Sequence, residues 1–248
     1  MRIIISPAKQ MRIDTDNFEY RALPVFLDRT RLLMDWIKSL SYGEQKKLWA
    51  CNDAIASLNS ERFAHMDLLK SLTPALIAYD GIQYSYMGPV VFDDRQHEYA
   101  QEHLRIISAF YGVLKPMDGV VPYRLEMQAR ASFNGYKNLY DFWGDSICRE
   151  VIDQSRTIIN LASKEYSVCV EKHLGKEDRF ITCVFGELSG DRVVQKGVYA
   201  KMARGEMVRF LCETGTDDPE DIKKFDWSGY SFDSDRSGED EYVFIRKS

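Results

Sequence analysis

"LRIISAFYGVLKPMDGVVPYRLEM", residues 104–127, decides how this chain is read. Leu104 to Ser108 is β-friendly and mostly apolar, the pattern of a buried strand. Turn chemistry follows: Gly112, Pro116, Gly119 and Pro122 alternate with Tyr111, Lys115, Tyr123, Arg124 and Glu126. Open α/β sheets place ligands just beyond the carboxyl ends of their strands. The expectation is therefore a stiff loop that presents Tyr111, Lys115, Tyr123 and Arg124 on one lip of a cleft, with Glu126 paired to a cation such as Arg124 or Arg204.

Two other strand ends resemble this one. Arg2 to Ser6 reads as a first strand running into Pro7, Ala8 and Lys9, and "RTIINLAS" (156–163) runs into Lys164, Glu165 and Tyr166. If the three ends converge, they form a site rich in Ser, Lys and Tyr. Ser6 and Ser163 would line it. Lysines at strand ends are costly to bury and usually meet an anion. The helical pattern "GVYAKMARGEMVRF" (197–210) adds Lys201 and Arg204, i,i+3 neighbours, with Arg209 further along. Gly205 inside it costs about 1 kcal/mol against Ala and suggests a close approach. The bland alternatives are a Ser163 N-cap, ordinary turn chemistry and a solvated basic helix face.

Around these ends the chain alternates helix and strand without a clean βαβ repeat. Helical spacing is expected from Pro24 through Leu40, again to Cys51, and from Asp53 through Arg62. Thr73-Pro74 starts a short helix, Asp93-Asp94 caps one to about His103, and "NLYDFWGDSICREVI" (138–152) reads as one amphipathic helix. A hairpin around Ser189-Gly190, a helix start at Asp218-Pro219 and a closing strand "EYVFIRK" (241–247) complete the reading. This is one mixed α/β (α+β) domain over residues 1–248. Helices surround its mixed central sheet, residues 24–70 form a helical subregion, and residues 213–241 are acidic.

Composition narrows the class. The 248 residues are 45% hydrophobic and 29% charged, ordinary for a globular chain. No apolar run spans a bilayer and no leader is recognisable, so a cytoplasmic protein without a membrane partner is expected. The five cysteines are scattered and form no CxxC, as reduced core thiols would. His65, His97, His103 and His173 lack metal-ligand spacing, so no metal is expected. No cofactor is expected either, because nucleotide-triphosphate and dinucleotide motifs are missing. From Glu213 to Glu241 eleven acids face Lys223, Lys224 and Arg236, a net of −8; the whole chain carries −5, so the rest carries +3. A mildly basic body leaves room for a local anion site.

"ISPAK", "PALIAYDG", "SAFYGVLKPMDGVVPYRLEM", "YDFWGD", "INLASKEY", "YAKMARGEM" and "GYSFD" run in order from residue 5 to about 232. Together they resemble the YaaA family of bacterial peroxide-stress proteins. The resemblance implies a single-domain cytosolic protein of unusual α/β fold. It implies double-stranded DNA binding through a positive cleft and a helix-hairpin-helix-like element, and a role in keeping free iron low under peroxide stress. "WIKSLSYGEQKKLW" (36–49) has the outline of such an element, with Gly43 in its hairpin and Lys38, Lys46 and Lys47 beside it. It lacks the usual Gly-apolar-Gly. "SLNSERF" (57–63) is the second candidate.

Three functions stand at this point. The first is a stress protein that binds duplex DNA, bent or damaged, through Lys115, Arg124, Lys201, Arg204, Arg209, Lys46 and Lys47. The second is a lysine-dependent enzyme on nucleic acid or a nucleobase, with Lys9 or Lys164 as nucleophile or base and Glu126 or Glu165 as acid/base. The third is an interaction module that uses the acidic region.

Overall fold

The computed structural model describes residues 1–247. β1 (Arg2–Ile5) leaves through Ser6 to Lys9 into the short β2 (Gln10–Met11). Three helices follow: α1 (Leu27–Ser39), α2 (Tyr42–Trp49) and α3 (Asp53–Ala64). Short pieces then succeed one another, β3 (Thr73–Pro74), α4 (Ala75–Ala78), β4 (Tyr79–Asp80) and α5 (Ile82–Met87), before α6 (Asp94–His103). β5 (Leu104–Ser108), β6 (Gly112–Leu114) and β7 (Gly119–Val120) come next, then α7 (Leu139–Trp143) and α8 (Ser146–Val151). β8 (Thr157–Leu161), α9 (Lys164–Glu171), β9 (Arg179–Ser189), β10 (Arg192–Val194) and α10 (Gly197–Thr214) lead to the 3-10 turns Pro219–Lys224 and Trp227–Gly229. β11 (Tyr230–Phe232) and β12 (Glu241–Arg246) close the chain.

The main sheet has the order β11-β12-β9-β8-β1-β5-β6, with β10 folded back on β9. Every neighbouring pair from β12 to β5 is parallel, and β11 and β6 are antiparallel margins. The fold is mixed α/β, as expected. Parallel strands covered on both faces need apolar side chains throughout. Ile3, Ile4 and Ile5 are accordingly buried, as are Ile106, Ile107, Ile158 and Ile159. From β1 the chain moves to β5 on one side, then returns past β1 to β8 on the other. Connections therefore leave the carboxyl ends of β1 and β8 in opposite directions, which opens a crevice between them.

Several elements differ from the sequence reading. Residues 109–126 are not one loop: β6 folds back antiparallel on β5, pairing Ile106 with Leu114. Gly112 makes that turn at φ +76, and a Cβ there would lie 2.8 Å from the Trp143 ring. The helix expected over 138–152 is two helices, because Gly144 adopts φ +51 and ψ −132, a region open essentially to glycine. Thr73-Pro74 pairs with β7 as a strand, and the helix begins one residue later at Ala75. Gly43 is not in a hairpin but in the first turn of α2, whose start is fixed by a Ser41–Glu44 capping box. "SLNSERF" lies inside α3 and forms no corner.

The helices of residues 27–64 share the main core. Phe63 meets Phe110 edge-on at 5.5 Å, and Trp36 stacks on Phe133 at 4.5 Å.

Candidate functional site

Ser6 and Ser163, the residues just past β1 and near the end of β8, meet across the crevice. Ser6 Oγ accepts a hydrogen bond from the Ser163 amide (2.8 Å) and donates to Ser163 Oγ (3.2 Å). The Tyr84 hydroxyl donates to the Ser6 carbonyl at 3.0 Å. With its own amide bonded to Ser6, Ser163 sits at the N-cap position of α9 but caps none of that helix's amides with its side chain. The bland alternative thus holds for its position but not for its hydroxyl, which faces Ser6 instead.

Above this seam lies a cavity of about 420 Å³. Its walls come from Ser6 to Gln10, from Asp80 to Tyr84, from Tyr123 to Glu126, from Ser163, Glu165 and Tyr166, and from Lys201 and Arg204. Beneath it, the Tyr123 hydroxyl bridges Tyr79 (2.8 Å) and Ser108 (2.7 Å). Burial pushes the Tyr123 phenol up to about 12 and raises Tyr84 and Tyr166 as well, so these hydroxyls stay protonated near neutral pH.

Glu126 joins two cations, Arg124 at 2.9 Å and Lys9 at 2.9 Å. Its partners are thus Arg124 and Lys9 rather than Arg204. Glu165 accepts from the Gln128 amide at 3.2 Å. α10 brings in Lys201 and Arg204 by packing backbone to backbone on α5. A Cβ at Gly205 would fall 2.2 Å from the Gln83 carbonyl oxygen. The close approach inferred for Gly205 is real, but the partner is α5 of the same chain. Arg204 is half-buried; among the described residues it forms no ion pair, and its Nε is buried without a hydrogen-bond partner. Burial lowers its affinity for its proton, which marks an under-compensated charge. Four cations face three carboxylates around the cavity, with Glu126 already shared by two of the cations.

Other candidates lie elsewhere. Tyr111 is not on a cleft lip: it is 1% exposed, and its hydroxyl accepts from the Val121 amide. Lys115 is exposed beside a separate cavity of about 120 Å³, with Arg105, Asp118 and Glu150. Lys164 points away to Glu171 at 2.6 Å and does not line the cavity. Lys46 pairs with Asp53, Arg209 pairs with Glu213, and Lys47 lines another groove with Trp36 and Glu44. The sequence reading missed Gln83 and Tyr84. The only signal for them was "YDGIQY" (79–84), at whose glycine a Cβ would lie 3.0 Å from the Ala8 side chain just past the end of β1.

A largely parallel sheet with a cation-lined crevice at its switch point defines an α/β protein built around a concave site. The chain belongs to the family described as "Peroxide stress protein YaaA", whose model matches residues 1–236. It is 58% identical over 247 residues to a UPF0246 protein of Agathobacter rectalis, covering 100% of this chain and 99% of that one. UPF0246 proteins of Desulfitobacterium hafniense (51% identical, 99% and 98% covered) and Pediococcus pentosaceus (46%, 99% and 98%) are similar along their whole length. No helix among the described residues is long and apolar enough to cross a membrane.

Proposed function

We propose that this peroxide-stress protein acts by binding DNA at the crevice, with Lys9, Arg124, Lys201 and Arg204 meeting backbone phosphates. The observation that carries the reading is Arg204, a half-buried guanidinium with no acidic partner among the described residues. Such a charge is costly unless an anion meets it, and guanidinium matches phosphate bidentately. Lys201 is exposed on the same helix face and extends the contact. Lys46, Lys47, Lys115 and Arg209 lie outside the crevice and belong to the reading only as distant electrostatic contributors.

The lysine-enzyme reading is weaker. Lys164 is turned away from the cavity, and Lys9 is 65% exposed, without the desolvation that activates a lysine nucleophile. The interaction-module reading is weaker too: the acidic region is partly neutralised within itself, where Glu220, Asp221 and Asp233 pair with Lys223, Lys224 and Arg236. Among the described residues no group of three or more His, Cys, Asp or Glu could hold a metal, so an effect on free iron is proposed to be indirect. Burial raises the thiols of Cys148, Cys169, Cys183 and Cys212, which makes them poor targets for peroxide.

Duplex affinity measured across a salt series tests the proposal. Arg204→Gln and Lys201→Gln should each weaken binding, about tenfold for Arg204, and lower the salt slope by about 1. Lys47→Gln should have a smaller effect. Equal losses at all three positions would place the DNA elsewhere.

A further inference from the structure

The crevice contains more than phosphate binding requires. Gln83 is 7% exposed and lines the cavity, yet among the described residues its Nε2 is buried without a hydrogen-bond partner. A buried unsatisfied amide costs about 1–3 kcal/mol, so it is retained where something outside the chain completes it. Around it the walls are mostly carbon, supplied by Ile82, Tyr84, Leu125 and Tyr166. Exposed Lys9 and Lys201 stand among the lining residues, with Arg204 less exposed. The chamber thus pairs cations with an apolar lining and one carboxamide.

A backbone phosphate needs the cations but neither an apolar chamber nor Gln83. A ligand that uses all three carries an anion, an apolar body and a polar edge with donor and acceptor side by side. A nucleotide has this combination. At about 420 Å³ the cavity is within the range that encloses a small ligand and is far too small to admit a duplex. DNA lying across the mouth could fill it only by turning one nucleotide out of the stack, which costs least where that nucleotide is already unpaired. Gln presents the donor–acceptor pair that matches a base edge.

We propose that the cavity receives a single extrahelical nucleotide of bound DNA, with its phosphate on Arg204 and its base edge on the Gln83 carboxamide. This deepens the DNA reading above and rests on it. The resulting preference is for DNA with a bulged or unpaired nucleotide over a fully paired duplex.

The test compares binding of three probes: a paired duplex, the same duplex with one bulged 2-aminopurine nucleotide, and a free deoxynucleoside monophosphate. The bulged duplex should bind at least about tenfold tighter than the paired one, with a change in 2-aminopurine fluorescence. Gln83→Leu should erase that preference, bringing the bulged duplex to the affinity of the paired one. Ile82→Trp, at a 38% exposed position among the lining residues, should do the same without touching the core. Equal affinity for both duplexes, or a preference that survives both substitutions, overturns the nucleotide pocket while DNA binding stands. Binding of the free monophosphate with no DNA binding overturns the DNA reading and the extrahelical assignment together. Failure to bind any probe also overturns both.

Discussion

Asp118 shows how far burial moves a single residue from its sequence context. It is 4% exposed and its Oδ2 accepts from the Lys115 amide at 2.8 Å. Burial raises its carboxyl to about 6; the Lys115 hydrogen bond and the charges of Lys115 and Arg105 oppose the rise, and Glu150 adds to it. A carboxyl whose folded value is raised binds its proton more tightly in the folded state. Its contribution to stability is therefore present below about pH 4 and lost as pH rises through about 6. Asp118→Asn should keep the Lys115 hydrogen bond and remove that loss. Its stability relative to the parent should improve by up to about 3 kcal/mol between pH 4 and pH 7, measured by denaturant unfolding at both pH values. A pH-independent difference would show that the carboxyl is not raised. Legibility at this scale was uneven. Lys9, Arg124, Glu126, Lys201 and Arg204 were read as site residues and line the cavity. Tyr111 and Tyr123 stand in the same motif, yet one is core and the other lies under the crevice. Residue type cannot separate them, because each hydroxyl finds its partner in tertiary contacts, the Val121 amide for Tyr111 and Tyr79 with Ser108 for Tyr123.

Helices and strands with strong periodicity were legible, and interruptions were not. β1, β5, β8 and β12 read correctly because buried parallel strands are continuous apolar runs. β6 was hidden because three residues, Gly112 to Leu114, are too short for any pattern. The split between α7 and α8 was hidden because the apolar face continues across Gly144, and only its φ of +51 breaks the helix. Gly205 makes the element scale testable, since two effects there have opposite sign. Helix propensity favours Ala over Gly by about 1 kcal/mol. The α5–α10 contact opposes it, because a methyl would lie 2.2 Å from the Gln83 carbonyl oxygen. Backbone cannot yield as a flexible side chain does, so Gly205→Ala should destabilise by about 2 kcal/mol or more in thermal or urea unfolding. It should also weaken the proposed DNA binding by displacing Arg204. A stabilised variant would show that the two helices separate freely.

The whole chain is proposed to fold as one unit, because one continuous core joins the helices of residues 27–64 to the sheet through Phe63–Phe110, Trp36–Phe133 and Phe26–Trp143. Far-UV circular dichroism and tryptophan fluorescence should then report the same midpoint, since Trp36 and Trp49 lie in the helical part and Trp143 and Trp227 outside it. Two separated transitions would make residues 27–64 an independent unit. By itself the sequence determined the α/β class, the main strands and long helices, the family resemblance and most of the charged residues around the crevice, since these rest on local periodicity and residue type. Tertiary structure alone decided that β8 and β5 flank β1, that Ser6 meets Ser163, that Lys164 turns outward and that Gln83 and Tyr84 join the site. Each of these is a contact between segments far apart in the chain. Local pattern carries no information about such pairings, which are selected by the burial of every strand and helix face at once.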